Sequence, residues 1–163
     1  EPVKSEWIDI AKLLESIITS MQDGLQKLDV QLSLQLDTRL PYVPADPDKL
    51  RRLFGNLIAN ALQALEDAGK QQKQMKVEAS LVTDENDASV KVVICDNGIG
   101  LDGVDAEKVF EPFFTTRSQG TGLGLAIVRQ IVEQYHGTID LKQNDNGDTC
   151  ATVIIPTTNS EPE

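Results

Sequence analysis

Positive charge is scarce in this chain of 163 residues. Lys and Arg number 15 against 26 Asp and Glu, a net charge of −11. A surface of that sign argues against binding nucleic acid or contacting an anionic membrane. An anionic ligand would have to be held by local dipoles or by a divalent cation. Long apolar runs are missing as well. None approaches the ~20 residues of a membrane span, and the N-terminus lacks the basic start and apolar core of a signal peptide, so the chain reads as soluble. Cysteine is limited to Cys95 and Cys150. Both lie in strand-like runs without metal-ligand spacing, and both are expected to be buried, reduced thiols in a cytosolic setting. No internal repeat or low-complexity tract is present.

What remains is a globular composition, 40% hydrophobic, of a length that suits one domain over residues 1–163. "SEWIDI" suggests a short strand. It runs into an apolar stripe of helical spacing, Ile10, Leu13, Leu14, Ile17, Ile18, Met21, Leu25 and Leu28, which predicts one helix over about 10–28. Strict alternation in "VQLSLQL" predicts a half-buried strand at 30–36. Asp46 followed by Pro47 predicts a capped helix start, with a stripe from Leu50 to Leu65 and a stop near Gly69. "MKVEASLV" and "VKVVIC" flank a polar turn and read as a hairpin. Residues 97–120 are long, glycine-containing and mostly irregular, a length that in compact domains points to function. A helix over about 121–136 follows. Strands near 138–143 and 149–155 close the chain, the second ended by Pro156. The order favours a two-layer α/β sandwich: a mixed, mostly antiparallel sheet packed on about three helices.

Three motifs carry chemistry. In "NLIANA" the amides of Asn56 and Asn60 share a helix face at the rim of the core. They read either as exposed or capping amides or as hard oxygen ligands of the kind that suits Mg²⁺. In "CDNGIG" an apolar strand ends at Asp96, beside Gly98 and Gly100. This is either an ordinary turn or a carboxylate placed to accept from an exocyclic amine while a flat ring lies against the glycines. In "RSQGTGLGL" Gly120, Gly122 and Gly124 precede a helix. There is neither the Lys of a phosphate loop nor the spacing of a dinucleotide fingerprint. The stretch either caps a core helix or offers backbone N–H groups to phosphate, with Arg117 as a further contact.

In this order and spacing the motifs resemble the ATP-binding domain of sensor histidine kinases, in the superfamily that also holds gyrase, heat-shock 90 chaperones and mismatch-repair proteins. "LRRLFGNLIANALQAL" resembles the N box, "DNGIG" the G1 box, "FEPFFTT" the F box and "GTGLGL" the G2 box, over about Trp7 to Pro156. The resemblance implies a Bergerat-type fold with ATP and Mg²⁺. Asn60 would ligate the metal, with Asn56 as its companion. Asp96 would read adenine beside Gly98, Gly100 and Leu101. Gly120, Thr121, Gly122, Leu123, Gly124 and Leu125 would meet the phosphates. Leu101 to Gln119 would form a lid anchored by Phe110, Phe113 and Phe114. Thr149 would lie near the adenine, although the Gly usual before it is Asp148.

Gln63 replaces the Lys that many members carry three residues after the metal-binding Asn. No phosphoacceptor motif is found: His136, the sole histidine, is expected to cap a helix C-terminus. The resemblance therefore implies a catalytic domain that donates the γ-phosphoryl group to a histidine on a separate dimerising domain of a longer parent. A response regulator would be an indirect partner, in the cytoplasm, with membrane attachment of the parent left open. A gyrase- or chaperone-type hydrolase, a nucleotide-sensing module and an anti-sigma-type serine kinase are the rivals.

Overall fold

The computed structural model describes residues 4–85, 87–101, 107–111 and 124–157. Its elements are β1 (Glu6–Ile8), α1 (Ile10–Ser20), α2 (Gln22–Lys27), β2 (Val30–Leu36), β3 (Val43–Ala45), α3 (Pro47–Ala68), β4 (Lys73–Asp84), β5 (Asp87–Asp96), a 3₁₀ turn (Lys108–Phe110), α4 (Gly124–Gln134), β6 (Thr138–Gln143) and β7 (Thr149–Thr157). Five strands form one sheet in the order β2-β4-β5-β7-β6; β1 and β3 form a separate antiparallel pair. Only β2 runs parallel to its neighbour; β4, β5, β7 and β6 meet antiparallel. Helices α2, α3 and α4 pack on the sheet, and α1 packs on α3. This is the expected two-layer sandwich with a mixed, mostly antiparallel sheet.

The pleat decides which side is core. On β5, Ala88, Val90, Val92, Ile94 and Asp96 are buried while the residues between them are not. Their partners Met75, Val77 and Ala79 on β4 and Ala151, Val153 and Ile155 on β7 share that face. Against it lies the stripe of α3, where Leu50, Leu53, Phe54, Leu57, Ile58, Ala61 and Leu65 are buried. Asp46 caps α3 by accepting from the Asp48 N–H (2.9 Å), Pro47 occupies its first turn, and Gly69 ends it in the left-handed region. No helix of the described residues is long and apolar enough to cross a membrane.

Four details differ from the sequence expectation. The helix expected over 10–28 is two helices broken at Met21. Just before the break, the hydroxyls of Thr19 and Ser20 donate back to the carbonyls of Glu15 and Ile17, competition of the kind that bends helices. That raises the described α-helices to four. The short β3 went unread because three residues carry no period. β7 continues through Pro156 to Thr157. Its pairing with β6 ends at Ile154, so Pro156 lies on a locally open edge where a missing N–H costs nothing.

The fourth difference is the cysteines. Cys95 and Cys150 are not reduced thiols but a disulfide (S–S 2.08 Å). They are directly opposed on β5 and β7, and a Cα–Cα separation of 4.1 Å marks a non-hydrogen-bonded pair whose side chains lie close. They are also half-buried on the outer face of the sheet rather than in the core. At a sequence separation of 55, their meeting is a product of strand register.

Candidate functional site

Asn56 and Asn60 sit half-buried, one turn apart, on the flank of α3. α4 packs beside α3 and runs antiparallel to it. Lys49 Nζ, early in α3, donates to Gln134 Oε1 at the end of α4 (2.8 Å), and the Asp46 N–H donates to the Tyr135 hydroxyl (3.0 Å). The first turn of α4 therefore faces the second half of α3. A Cβ placed on Gly124 would lie 3.9 Å from Asn60 Nδ2. The helix end richest in unpaired N–H groups, and positive through its dipole, is thus brought beside an amide. Leu125, next on α4, packs against the core from a half-buried position.

β5 delivers Asp96 opposite Thr149, the first residue of β7, both on the helix-facing side of the sheet. Asp96 is 6% exposed, the sole buried charged residue among those described. One carboxylate oxygen accepts from the Gly98 N–H (2.9 Å). Burial pushes the carboxyl up to about 6; the Gly98 hydrogen bond and Lys70 pull it back, and Asp148 adds to the rise. Thr149 Oγ1 is buried with no hydrogen-bond partner. An orphan hydroxyl facing a half-used carboxylate is an arrangement a polar ligand would complete.

Gly98 ties this pair to the asparagines. A Cβ there would come within 2.5 Å of the Ala64 carbonyl and 2.8 Å of Asp96 Oδ1, so only glycine lets the turn close against α3. The Ile99 N–H donates to the Ala64 carbonyl (3.2 Å). Ala64 is one turn beyond Asn60, which puts Asp96, Gly98 and Asn60 along one side of α3. Asn97 has a different task. Its side chain accepts from the Gln74 N–H (2.8 Å) and donates to the Gln72 carbonyl (2.9 Å), pinning the turn to β4. Gly100 has a positive φ of 79°, and Leu101 follows it half-buried.

Phe110 is buried against α4, with the Arg129 guanidinium 5.4 Å from its ring centroid. A guanidinium at that distance is within reach of the ring face for a cation–π contact. Gln63 hydrogen-bonds Asp67 Oδ1 (2.9 Å) along its own helix. His136 acts through its backbone rather than its side chain. It takes the left-handed position after α4 (φ 59°), with its N–H on the Glu133 carbonyl and the Gly137 N–H on the Val132 carbonyl. Glycine stands at 137 instead because a Cβ there would clash with the Ile154 carbonyl. Arg117, Gly120, Thr121, Gly122 and Leu123, with Phe113, Phe114 and most of the expected lid, lie outside the described residues.

Sequence reasoning overlooked Ala64 and Lys70 and noted Asp148 only as a departure from the usual Gly; their roles come from a backbone carbonyl or from long-range charge and leave no local pattern. It also passed over Ile99, 47% exposed at the mouth of the turn. An isolated apolar residue between two glycines was the available signal.

Residues 45–159 match the family described as histidine kinase-, DNA gyrase B-, and HSP90-like ATPase. The sensor histidine kinase ZraS of Escherichia coli K12 is 32% identical over 149 residues, covering 91% of this chain and 30% of ZraS. The signal transduction histidine-protein kinase AtoS of the same strain is 31% identical over 157 residues, covering 95% of this chain and 25% of AtoS. The chain thus spans under a third of the length of these relatives. Among solved structures, a nucleotide-free catalytic domain of the histidine kinase ThkA superposes with a TM-score of 0.80 at 26% identity, covering 95% of this chain and 97% of that one.

Proposed function

The chain belongs to the histidine kinase-, DNA gyrase B-, and HSP90-like ATPase family, with the fold of a histidine kinase catalytic domain, and from that premise we propose that it binds Mg-ATP and presents the γ-phosphoryl group to a histidine on a separate domain of its parent. The observation that carries the reading is the buried Asp96 carboxylate facing the unpartnered Thr149 hydroxyl, at the turn held against α3 by Gly98. Adenine presents an amine donor beside ring-nitrogen acceptors. Asp96 would accept from the amine, and Thr149 would donate to a ring nitrogen. The tight seat of Gly98 leaves a flat approach to the backbone beside them.

The triphosphate would extend along α3 toward the first turn of α4. Backbone N–H groups from Gly120 to Leu125 and the Arg117 guanidinium would hold its oxygens. Asn60, beside Gly124, supplies a neutral oxygen that fits an ion taking the rest of its shell from phosphates and water. When bound, Mg²⁺ neutralises charge between the phosphates. Asn56 would orient this shell as Asn60's companion. Leu101 and Phe110 would border the nucleotide where the lid begins and is anchored.

Asn56 also favours transfer over hydrolysis. Its amide has no basic lone pair to take a proton from water at neutral pH, so water is poorly activated and the nucleotide waits for a neutral imidazole. Transfer forms an N–P bond, breaks the bond from the γ-phosphorus to the bridging oxygen and releases ADP. The acceptor would lie on the dimerising domain of the parent, and a response regulator would receive the group next, in the cytoplasm. In this reading residues 1–163 are a single catalytic domain with an ordered core over about 7–156.

The test is incubation with γ-labelled ATP, with and without the histidine-bearing domain of the parent. Acid-labile label on that domain, with none on the chain itself, is the expected result. Acid-stable label would point to a serine kinase. Phosphate release near ~10 per second without an acceptor, a typical enzyme turnover, would refute the reading in favour of a hydrolase.

A further inference from the structure

The disulfide lies directly behind the Asp96–Thr149 pair. Cys95 precedes Asp96 on β5 and Cys150 follows Thr149 on β7, so two adjacent rungs of one strand pair carry the covalent bond and the polar pair. Because side chains alternate across the pleat, the bond is on the outer face and the polar pair is on the helix face. The cross-link thereby holds the spacing of the two strands at the point where they present Asp96 and Thr149.

Its surroundings on the outer face suit thiol chemistry. Lys76 on β4 is the cross-strand partner of Cys95, and Lys142 on β6 is the partner of Cys150, giving the row Lys76, Cys95, Cys150, Lys142. Asn144 Nδ2 also reaches Cys150 Sγ at 3.9 Å. Ammonium groups beside a sulfur favour the thiolate, which is both the attacking and the leaving species in exchange. Each lysine is tempered by a carboxylate two residues along its own strand: Glu78 lies 2.6 Å from Lys76, and Asp140 lies 3.7 Å from Lys142. Asp148, in the β6–β7 turn, adds a further negative charge to the lining of the groove. Cys95, itself half-buried, lines this groove of about 700 Å³ together with Ser33, Lys76, Glu78 and Asn144, which places the disulfide at a solvent-open face of the sheet.

We propose that Cys95 and Cys150 form a reversible thiol–disulfide switch that tunes nucleotide binding at Asp96 and Thr149, an inference that rests on the nucleotide reading above. A disulfide in a reducing compartment is as a rule transient or redox-sensing. Oxidation by a small disulfide such as oxidised glutathione removes two electrons and two protons from the two thiols and yields two glutathione thiols. A glutathione or dithiol thiolate reverses it in two steps. Attack on Cys95 Sγ expels the Cys150 thiolate beside Lys142 and leaves a mixed disulfide on Cys95. A second glutathione, or the second sulfur of the dithiol, resolves it by attacking the bound reductant's sulfur and expelling the Cys95 thiolate. Once open, the two sulfurs must part to van der Waals separation. The strand ends then lose the constraint that preorganises the polar pair, so the oxidised form binds nucleotide more tightly.

The experiment equilibrates the whole chain in glutathione buffers from reduced to oxidised. Acid quench, alkylation and mass measurement read the thiols; calorimetry reads ATP affinity at both extremes. The expected result is a single two-thiol transition, with Kd raised roughly 2- to 10-fold on reduction, the scale of one or two freed side chains. The double variant Cys95→Ala, Cys150→Ala should show one Kd in both buffers, and the wild-type comparison stands without it. Two free thiols at every buffer ratio, or one wild-type Kd throughout, would overturn the switch. ATP binding in neither buffer would overturn the nucleotide reading and the coupling with it. A persisting thiol transition would then tell that failure from absence of the couple.

Discussion

Replacing Asp96 with Asn should separate binding from folding, because the buried charge opposes one and serves the other. Burial raises the carboxyl from 3.8 to about 6, so at neutral pH the fold carries an ionised group it holds less favourably than the unfolded chain does. That shift corresponds to roughly 3 kcal/mol as an upper bound. The sign follows from proton uptake: between pH 3.8 and about 6 the folded state binds the extra proton. The contribution of Asp96 to stability is therefore fully present below 3.8 and lost as pH rises through about 6. The Asn oxygen can still accept from the Gly98 N–H, so the turn survives. At pH 7.5 without nucleotide, Asp96→Asn should be more stable by about 1–3 kcal/mol, or roughly 2–10 °C in Tm, and the gain should vanish below pH 4. Affinity should move the other way. The amide loses a charge-assisted acceptor and turns a donor toward the adenine amine, for a loss of roughly 10- to 150-fold in Kd. Wild-type affinity should fall about tenfold from pH 7.5 to pH 5 as the carboxyl protonates. Thermal melts across pH and calorimetry with ATP measure both arms. A variant that melts lower at pH 7.5 while keeping its ATP affinity would show Asp96 to be a structural residue and would refute the assignment.

Thr149→Val conserves volume and removes a buried hydroxyl that has no partner. Melting without nucleotide should hold or rise, by up to about 1–2 kcal/mol, while ATP affinity falls several-fold; a drop in stability alone would place a partner on that hydroxyl in the apo fold. Gly98→Ala should cost about 1–3 kcal/mol and weaken ATP binding as well, since its Cβ meets backbone of α3; denaturant melts that match wild type would show the turn to be looser than described. Asn60→Asp should leave the apo protein as stable or slightly more so, a negative charge being favourable beside the first turn of α4. Calorimetry with and without Mg²⁺ should show loss of the metal-dependent part of ATP affinity, and an unchanged metal dependence would remove Asn60 from the site.

Where the code is local, the sequence alone determined the outcome. Asp46 and Pro47 start α3 and Gly69 ends it because caps act within a single turn. The alternation of β5 and the stripe of α3 decide which faces are buried, since each has one period and one hydrophobic side. The family was likewise legible, because the boxes around Asn60, Asp96 and Gly124 that carry the resemblance are contiguous stretches. Tertiary structure decided what depends on meetings between distant segments. A hydroxyl on β7 is left unpaired opposite Asp96 only because Thr149 falls at that rung of the β5–β7 register. The same register, one residue along, joins two cysteines that read singly as inert thiols, and sets a lysine on either side of them. Burial of Asp96, and with it the rise of its carboxyl, exists only once α3 and the sheet close around that turn. Desolvation is a property of the assembled neighbourhood and of no residue alone.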